Sequence, residues 1–148
     1  MSLFEQGTGQ LKASDIKLDG AEAFAAIALI AVAADDIITT SESQGLTTLF
    51  ARMELFNKYS EDDLRKMTDK LLGIIKNKDI KPLFDAAVAA VPKDLRETLF
   101  AVTTDLVLTD GDLAEEEEQL LEELYTALKI SEEMVDKIID VISIKNKG

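Results

Sequence analysis

A chain of 148 residues with a formal net charge of −13, no cysteine and no histidine is one domain by length, long enough to bury about 68–70% of its unfolded surface without cross-links. Those absences exclude disulfides, thiolate and imidazole metal sites, cysteine nucleophiles and triad chemistry, so any metal would be held through oxygen, as calcium, magnesium and manganese are. The acidic balance excludes nucleic acid and an anionic membrane as the main partner, because both call for a basic surface.

The opening MSLFEQGTGQLK has no apolar core of the kind a signal peptide needs, which predicts a cytoplasmic protein. Residues 1–20 are weakly patterned and read as an arm or a short helix. Residues 21–34, AEAFAAIALIAVAA, are apolar on every side, the pattern of a helix buried all round. Their charge-free stretch is only twelve residues long, short of the ~20 that span a bilayer.

After a loop at 35–40, residues 41–56 carry Leu46, Leu49, Phe50 and Met53 on one helical stripe. Ser60 is a good N-cap for a helix at 61–76 with Leu64, Met67, Leu71 and Ile75 inward. Pro82 suits the first position of a short helix ending near Val91. Pro92 starts a helix at 93–108, with Leu95, Leu99, Val102 and Leu106 facing in. A loop covers 109–113. Leu120, Leu121, Leu124 and Leu128 mark a helix at 114–129, and Ser131 caps a last one with Val135, Ile138 and Ile142. No strand pattern competes. The expectation is an all-α fold, a compact bundle of six to seven helices in a single domain over 21–144.

Shifted by 75 positions, the sequence overlays itself. Glu22 meets Glu97, Asp35 meets Asp110 and Glu42 meets Glu117, while Leu46, Leu49, Phe50 and Met53 meet Leu121, Leu124, Tyr125 and Leu128. Ser60-Glu61 meets Ser131-Glu132 after a four-residue change in connection length. The chain thus reads as two sequence-related halves, about 21–76 and 93–144: buried helix, acidic loop, amphipathic helix, capped helix.

The two loop segments, AADDIITTSE and LTDGDLAEEE, resemble the Asp-Gly-x-Ile/Leu-x-x-x-Glu loops of the tellurite-resistance TerB-like family, and the resemblance covers roughly 21–142. It implies an all-helical, cytoplasmic bacterial domain tied to tellurite resistance and chemical stress, non-catalytic, with acidic loops discussed as metal sites and a surface that docks other proteins. Two positions depart from the pattern. Asp36 replaces the Gly that Gly111 keeps, and Ala114 replaces the Ser or Thr that Thr39 keeps.

Two readings of the acids stay open. In the first they are helix punctuation: Thr39 and Glu42 form a capping box, Asp112 with Glu115 does the same in the second copy, and carboxylates suit helix starts. In the second, Glu22, Asp35, Glu42, Glu97, Asp110 and Glu117 hold divalent cations. Glu22 and Asp35 lie thirteen residues apart on one helix, about 20 Å, and cannot share an ion. If the two buried helices pack antiparallel, Glu22 approaches Asp110 and Glu117, and Glu97 approaches Asp35 and Glu42.

Neither loop is an EF-hand. Counting from Asp110, the fifth, sixth and twelfth positions are Ala114, Glu115 and Leu121, where that loop needs an acid, Gly and Glu. Charge is uneven along the chain: residues 105–125 hold nine acids and no base, and residues 52–81 hold eight of the sixteen Lys and Arg. Ordinary amphipathic helices account for this, and so does docking to another protein or to a second copy. Thr103, Thr104 and Asp105 interrupt the helix at 93–108 and suggest one wet face. The functional expectation is a non-catalytic stress-response module that docks proteins, with bound cations as an added role. A ligand-free structural or oligomerisation domain is the alternative. A carboxylate-based metal-assisted hydrolase is the least supported, for want of His and of a glycine-rich phosphate loop.

Overall fold

The computed structural model describes residues 12–33, 40–77, 79–108 and 115–147, with the side chains of 40–44 outside the description. Among them the chain is all-α, with seven helices and no strand: α1 (Gly20–Ala33), α2 (Thr40–Ala51), α3 (Glu61–Lys76), α4 (Ile80–Ala90), α5 (Arg96–Val107), α6 (Glu115–Ala127) and α7 (Glu132–Lys145). Short 3₁₀ turns at Ala13–Asp15, Glu54–Phe56 and Lys93–Leu95 join them. The first of these falls in the expected N-terminal arm, of which residues 1–11 lie outside the described residues.

α1 is the axis of the core. Ten of its fourteen residues are buried, which a helix tolerates only when it has no polar face. α4 and α5 pack on it most extensively, followed by α3 and α2. Alanines at 21, 23, 25, 26 and 28 keep its surface low, so neighbouring backbones come close. α6 and α7 pack on α5.

The remaining core is built from aromatic and aliphatic side chains that reach α1 from the other helices. Phe50 and Phe56 stack at 4.8 Å between ring centroids, and Phe24 of α1 meets Phe56 edge-on at 6.5 Å. All three are essentially sealed from solvent. Truncating one of them to Ala costs about 3–5 kcal/mol.

Several boundaries differ from the sequence expectation, each for a local reason. The helix expected over 41–56 stops at Ala51, because Arg52 and Met53 donate to Leu49 and Phe50 in tightened i→i−3 bonds. Met53 then turns extended, and the 3₁₀ turn that follows swings Phe56 inward. α4 begins at Ile80, so Pro82 is its third residue rather than its first. The missing N–H costs nothing there, since the first four helical N–H groups have no intrahelical acceptor. The helix expected over 93–108 enters through a 3₁₀ turn and becomes regular only at Arg96.

The inward face of α5 is also rotated from the expected one. Leu99, Phe100, Thr103, Thr104 and Val107 are buried, while Leu95, Val102 and Leu106 are only partly so. Thr103 and Thr104 therefore do not line a wet face. Both are fully buried, and their hydroxyls donate back to the Leu99 and Phe100 carbonyls at 2.8 and 2.7 Å. An i−4 acceptor within the helix itself lets a threonine enter an apolar core without a stranded hydroxyl.

Candidate functional site

The six carboxylates singled out from the sequence fare differently. Glu22, at the third position of α1, is engaged on both oxygens. Its Oε1 accepts the Asp19 N–H at 3.2 Å, while the Glu22 N–H donates to Asp19 Oδ1 at 2.7 Å. This reciprocal pair is a capping box for α1. Glu22 Oε2 takes Lys70 Nζ of α3 at 2.9 Å, with the glutamate side chain 19% exposed.

Asp19 is itself doubly used. Its Oδ2 accepts from the Tyr59 hydroxyl at 3.1 Å. Burial, chiefly, and then the hydrogen bond and charge of Asp19 push the Tyr59 phenol up to about 12. The start of α1 is thereby clamped by the residues that flank and form α3. Asp19, Tyr59 and Lys70 were not anticipated as partners of Glu22. The Asp-x-x-Glu spacing just ahead of the apolar run was the visible signal for Asp19, whereas the reach of Tyr59 and Lys70 depends on tertiary packing.

Glu97, the residue matching Glu22 at the 75-residue offset, is exposed on α5. Asp94 and Glu97 repeat the Asp-x-x-Glu spacing, yet α5 is capped at Leu95 without a side-chain bond, because the chain enters through the 3₁₀ turn. Glu117, at the third position of α6, is buried at 8% exposure. Asp35 and Asp110, together with Thr39, Asp36, Gly111, Asp112 and Ala114, lie outside the described residues, as does the side chain of Glu42. Among the described residues no three acids form a group able to hold a metal ion. A Cβ on Gly20 would stand 3.1 Å from the Pro92 ring, so the start of α1 lies against the turn that leads into α5, beside the end of α4.

Asp105, the remaining acid noted on α5, has a structural use. Lys145 Nζ of α7 lies 3.1 Å from its Oδ1 and 3.3 Å from its Oδ2. Arg96 donates to the Leu128 carbonyl at 3.5 Å, so the start of α5 is tied to the turn between α6 and α7, and its last turn to the end of α7. An open groove of about 480 Å³ separates residues 13–18 from α4; Ala13, Ile16, Leu18, Ala86 and Ala89 line it. Its single carboxylate, Asp85, is paired with Lys81 at 3.1 Å. It therefore offers no converging acids for hydrolysis. No helix among the described residues is long and apolar enough to cross a membrane.

No curated protein and no solved structure matches the chain. The family model of tellurite resistance protein TerB matches residues 21–139, the span from the start of the buried α1 into α7, and by that match the chain belongs to the TerB family.

Proposed function

We propose that this TerB-family chain is a non-catalytic stress-response module of the bacterial cytoplasm that docks to another protein through the acidic surface of α6. The observation that carries the reading is the exposure of Glu115, Glu116, Glu118, Glu122 and Glu123 on that helix, none of them in an ion pair among the described residues. α6 holds itself to the fold with Leu120, Leu121 and Leu124, beside the buried Glu117 and the half-buried Tyr125, and turns these five glutamates to solvent. A uniform carboxylate face attracts a basic partner and accelerates its encounter, while like charge repels most acidic proteins.

The test is cross-linking mass spectrometry in tellurite-stressed host cells, comparing the wild type with E116K/E118K/E122K/E123K. Loss of a specific cross-linked protein from the charge-reversed chain is the expected result. An unchanged set of partners removes the proposal.

A second reading is divalent-cation binding, supported by the recurrence of the Asp and Glu positions of the two acidic loops at the 75-residue offset. Oxygen-only coordination by Glu22, Asp35, Glu42, Glu97, Asp110 and Glu117 fits calcium, magnesium or manganese. Use of Glu22 requires an ion to displace Lys70. Calorimetric titration of the wild type and of D35N/D110N with each cation decides it: binding heat that the variant loses supports the site, and a silent wild type eliminates it.

Both readings sit on a chain taken as two copies of one helical unit. Equivalent capping supports that: Ser60 accepts from the Asp63 N–H and Ser131 from the Met134 N–H, each at the third helical position. So does the equivalent packing of α2 and α3 on α1 and of α6 and α7 on α5.

A further inference from the structure

The family match begins at residue 21, yet the 3₁₀ turn at Ala13–Asp15, ahead of it, is held against α4. With that helix, residues 13–18 wall an open groove of about 480 Å³. Ile16 and Leu18 line one side, and Ala86, Ala89 and Ala90 line the other. Ile16 and Leu18 pack on the core with only part of their surface and keep the rest for the groove. A space of this size falls within the range of ligand pockets and has room for two large apolar side chains.

We propose that this groove is the seat of the chain's own first residues, with Leu3 and Phe4 as its occupants. Eleven residues precede Lys12, where the described part begins, and Ala13 beside it is already part of the groove wall. Leu3 and Phe4 form the one pair of adjacent large apolar residues in that segment. Between them and the wall stand Gly7 and Gly9, which let a chain double back. A flexible stretch of nine residues, Phe4 to Ala13, has a root-mean-square span of about 16 Å. That suffices to return Phe4 to a wall only six residues long. The tether gives the pair an effective concentration on the order of millimolar at the groove, an advantage that an unlinked occupant lacks.

Charge favours the same occupant. Lys17 lies on the groove, exposed and in no ion pair among the described residues. Asp85, the carboxylate of the lining, is balanced by Lys81 at 3.1 Å. The rim is therefore slightly basic on a chain of charge −13, and Glu5 follows Phe4 directly. A segment carrying one acid is attracted to this rim, whereas the acidic α6 repels it. The contact is reversible, because ordering the segment offsets most of what burial of two side chains gains. It acts as a strap that fastens the arm to α4, and it is independent of the docking role of α6.

The chain has no tryptophan and no cysteine, so probes of either kind are unique in it. In the full chain, the indole of F4W should emit at shorter wavelength than free tryptophan and be shielded from acrylamide. Adding A89E, which sets a carboxylate in the groove at an exposed position of α4, should abolish both effects and leave helical circular dichroism unchanged. Mild oxidation of F4C/A86C or F4C/A89C should close a disulfide within one chain. F4C/E123C, aimed at the exposed face of α6, should give only background. A solvent-exposed indole, a shielded indole that A89E leaves unmoved, a shift lost on dilution (the mark of a second copy's segment), or disulfide yields no higher than that of F4C/E123C overturns the proposal.

Discussion

Lys70 Nζ lies 2.9 Å from Glu22 Oε2, and that pair ties the first turn of the buried α1 to the middle of α3. Glu22 also closes the capping box with Asp19, so its two interactions separate by substitution. Lys70→Met removes only a pair whose lysine side chain is 53% exposed, and should cost under about 1 kcal/mol. Glu22→Ala removes the cap as well and should cost about 1–2 kcal/mol. Urea unfolding of both variants and their double mutant gives the coupling between them. If Glu22→Ala is no more costly than Lys70→Met, the capping role assigned to Glu22 is wrong.

The buried threonines of α5 lead to a sharper contrast. Thr103→Val and Thr104→Val trade a hydroxyl bonded within the helix for a methyl in an apolar site, and each should change stability by no more than about 1 kcal/mol. Thr103→Asp puts a charge in the same space and should cost more than about 3 kcal/mol. Chemical denaturation with far-ultraviolet circular dichroism measures all three. A tolerated aspartate would restore the wet face that the sequence suggested.

That miss shows where the sequence stopped being informative. α1 was legible because its apolar run leaves no face for solvent, and Ser60 and Ser131 were legible as caps because capping is decided within four residues. The inward face of α5 was not, since Thr103 and Thr104 read as polar and pulled the stripe toward Leu95, Val102 and Leu106. Helix-internal bonding of a threonine hydroxyl leaves no mark on the sequence. Nor did the break after Ala51 show in the spacing, for Leu55 and Phe56 fit a continuing stripe as well as a 3₁₀ turn. At the candidate site, the Asp19–Glu22 box was written in plain spacing, but Lys70 is 48 residues away from Glu22 and only packing brings it there. Asp35 and Asp110 lie outside the described residues, and calorimetry on the acid variants is the measurement that reaches them.

Gly20 and Gly73 respond differently to the same change. A Cβ on Gly20 would meet Pro92 Cδ and Cγ at 3.1 Å, whereas one on Gly73 meets nothing within 4 Å. Gly73→Ala, in the interior of α3, should stabilise by about 0.5–1 kcal/mol through helix propensity. Gly20→Ala gains less at a helix start and must push the proline ring aside, and should destabilise by about 1 kcal/mol. Thermal and urea midpoints decide; a stabilised Gly20→Ala would mean that α1 and the α4–α5 turn are less tightly apposed than described.

Tyr59 gives the fold a dependence on alkaline pH. Its hydroxyl donates to Asp19 Oδ2 at 3.1 Å, and burial together with that carboxylate raises the phenol from an ordinary 10.0 to about 12. The neutral form is the one that the folded state favours. Its contribution is therefore complete below the unfolded value of 10.0 and is lost as pH rises through about 12, because the unfolded chain gives up the proton first. Wild-type stability should fall over that window more steeply than that of Tyr59→Phe, which cannot ionise. Lysines titrate in the same range, so the informative quantity is the difference between the two proteins, followed by urea unfolding at closely spaced pH values. Absorbance at 295 nm should show a phenolate in the folded wild type, ionising near pH 12, that the variant lacks. Equal slopes for the two proteins would mean that the Tyr59–Asp19 bond does not hold the start of α1 in solution.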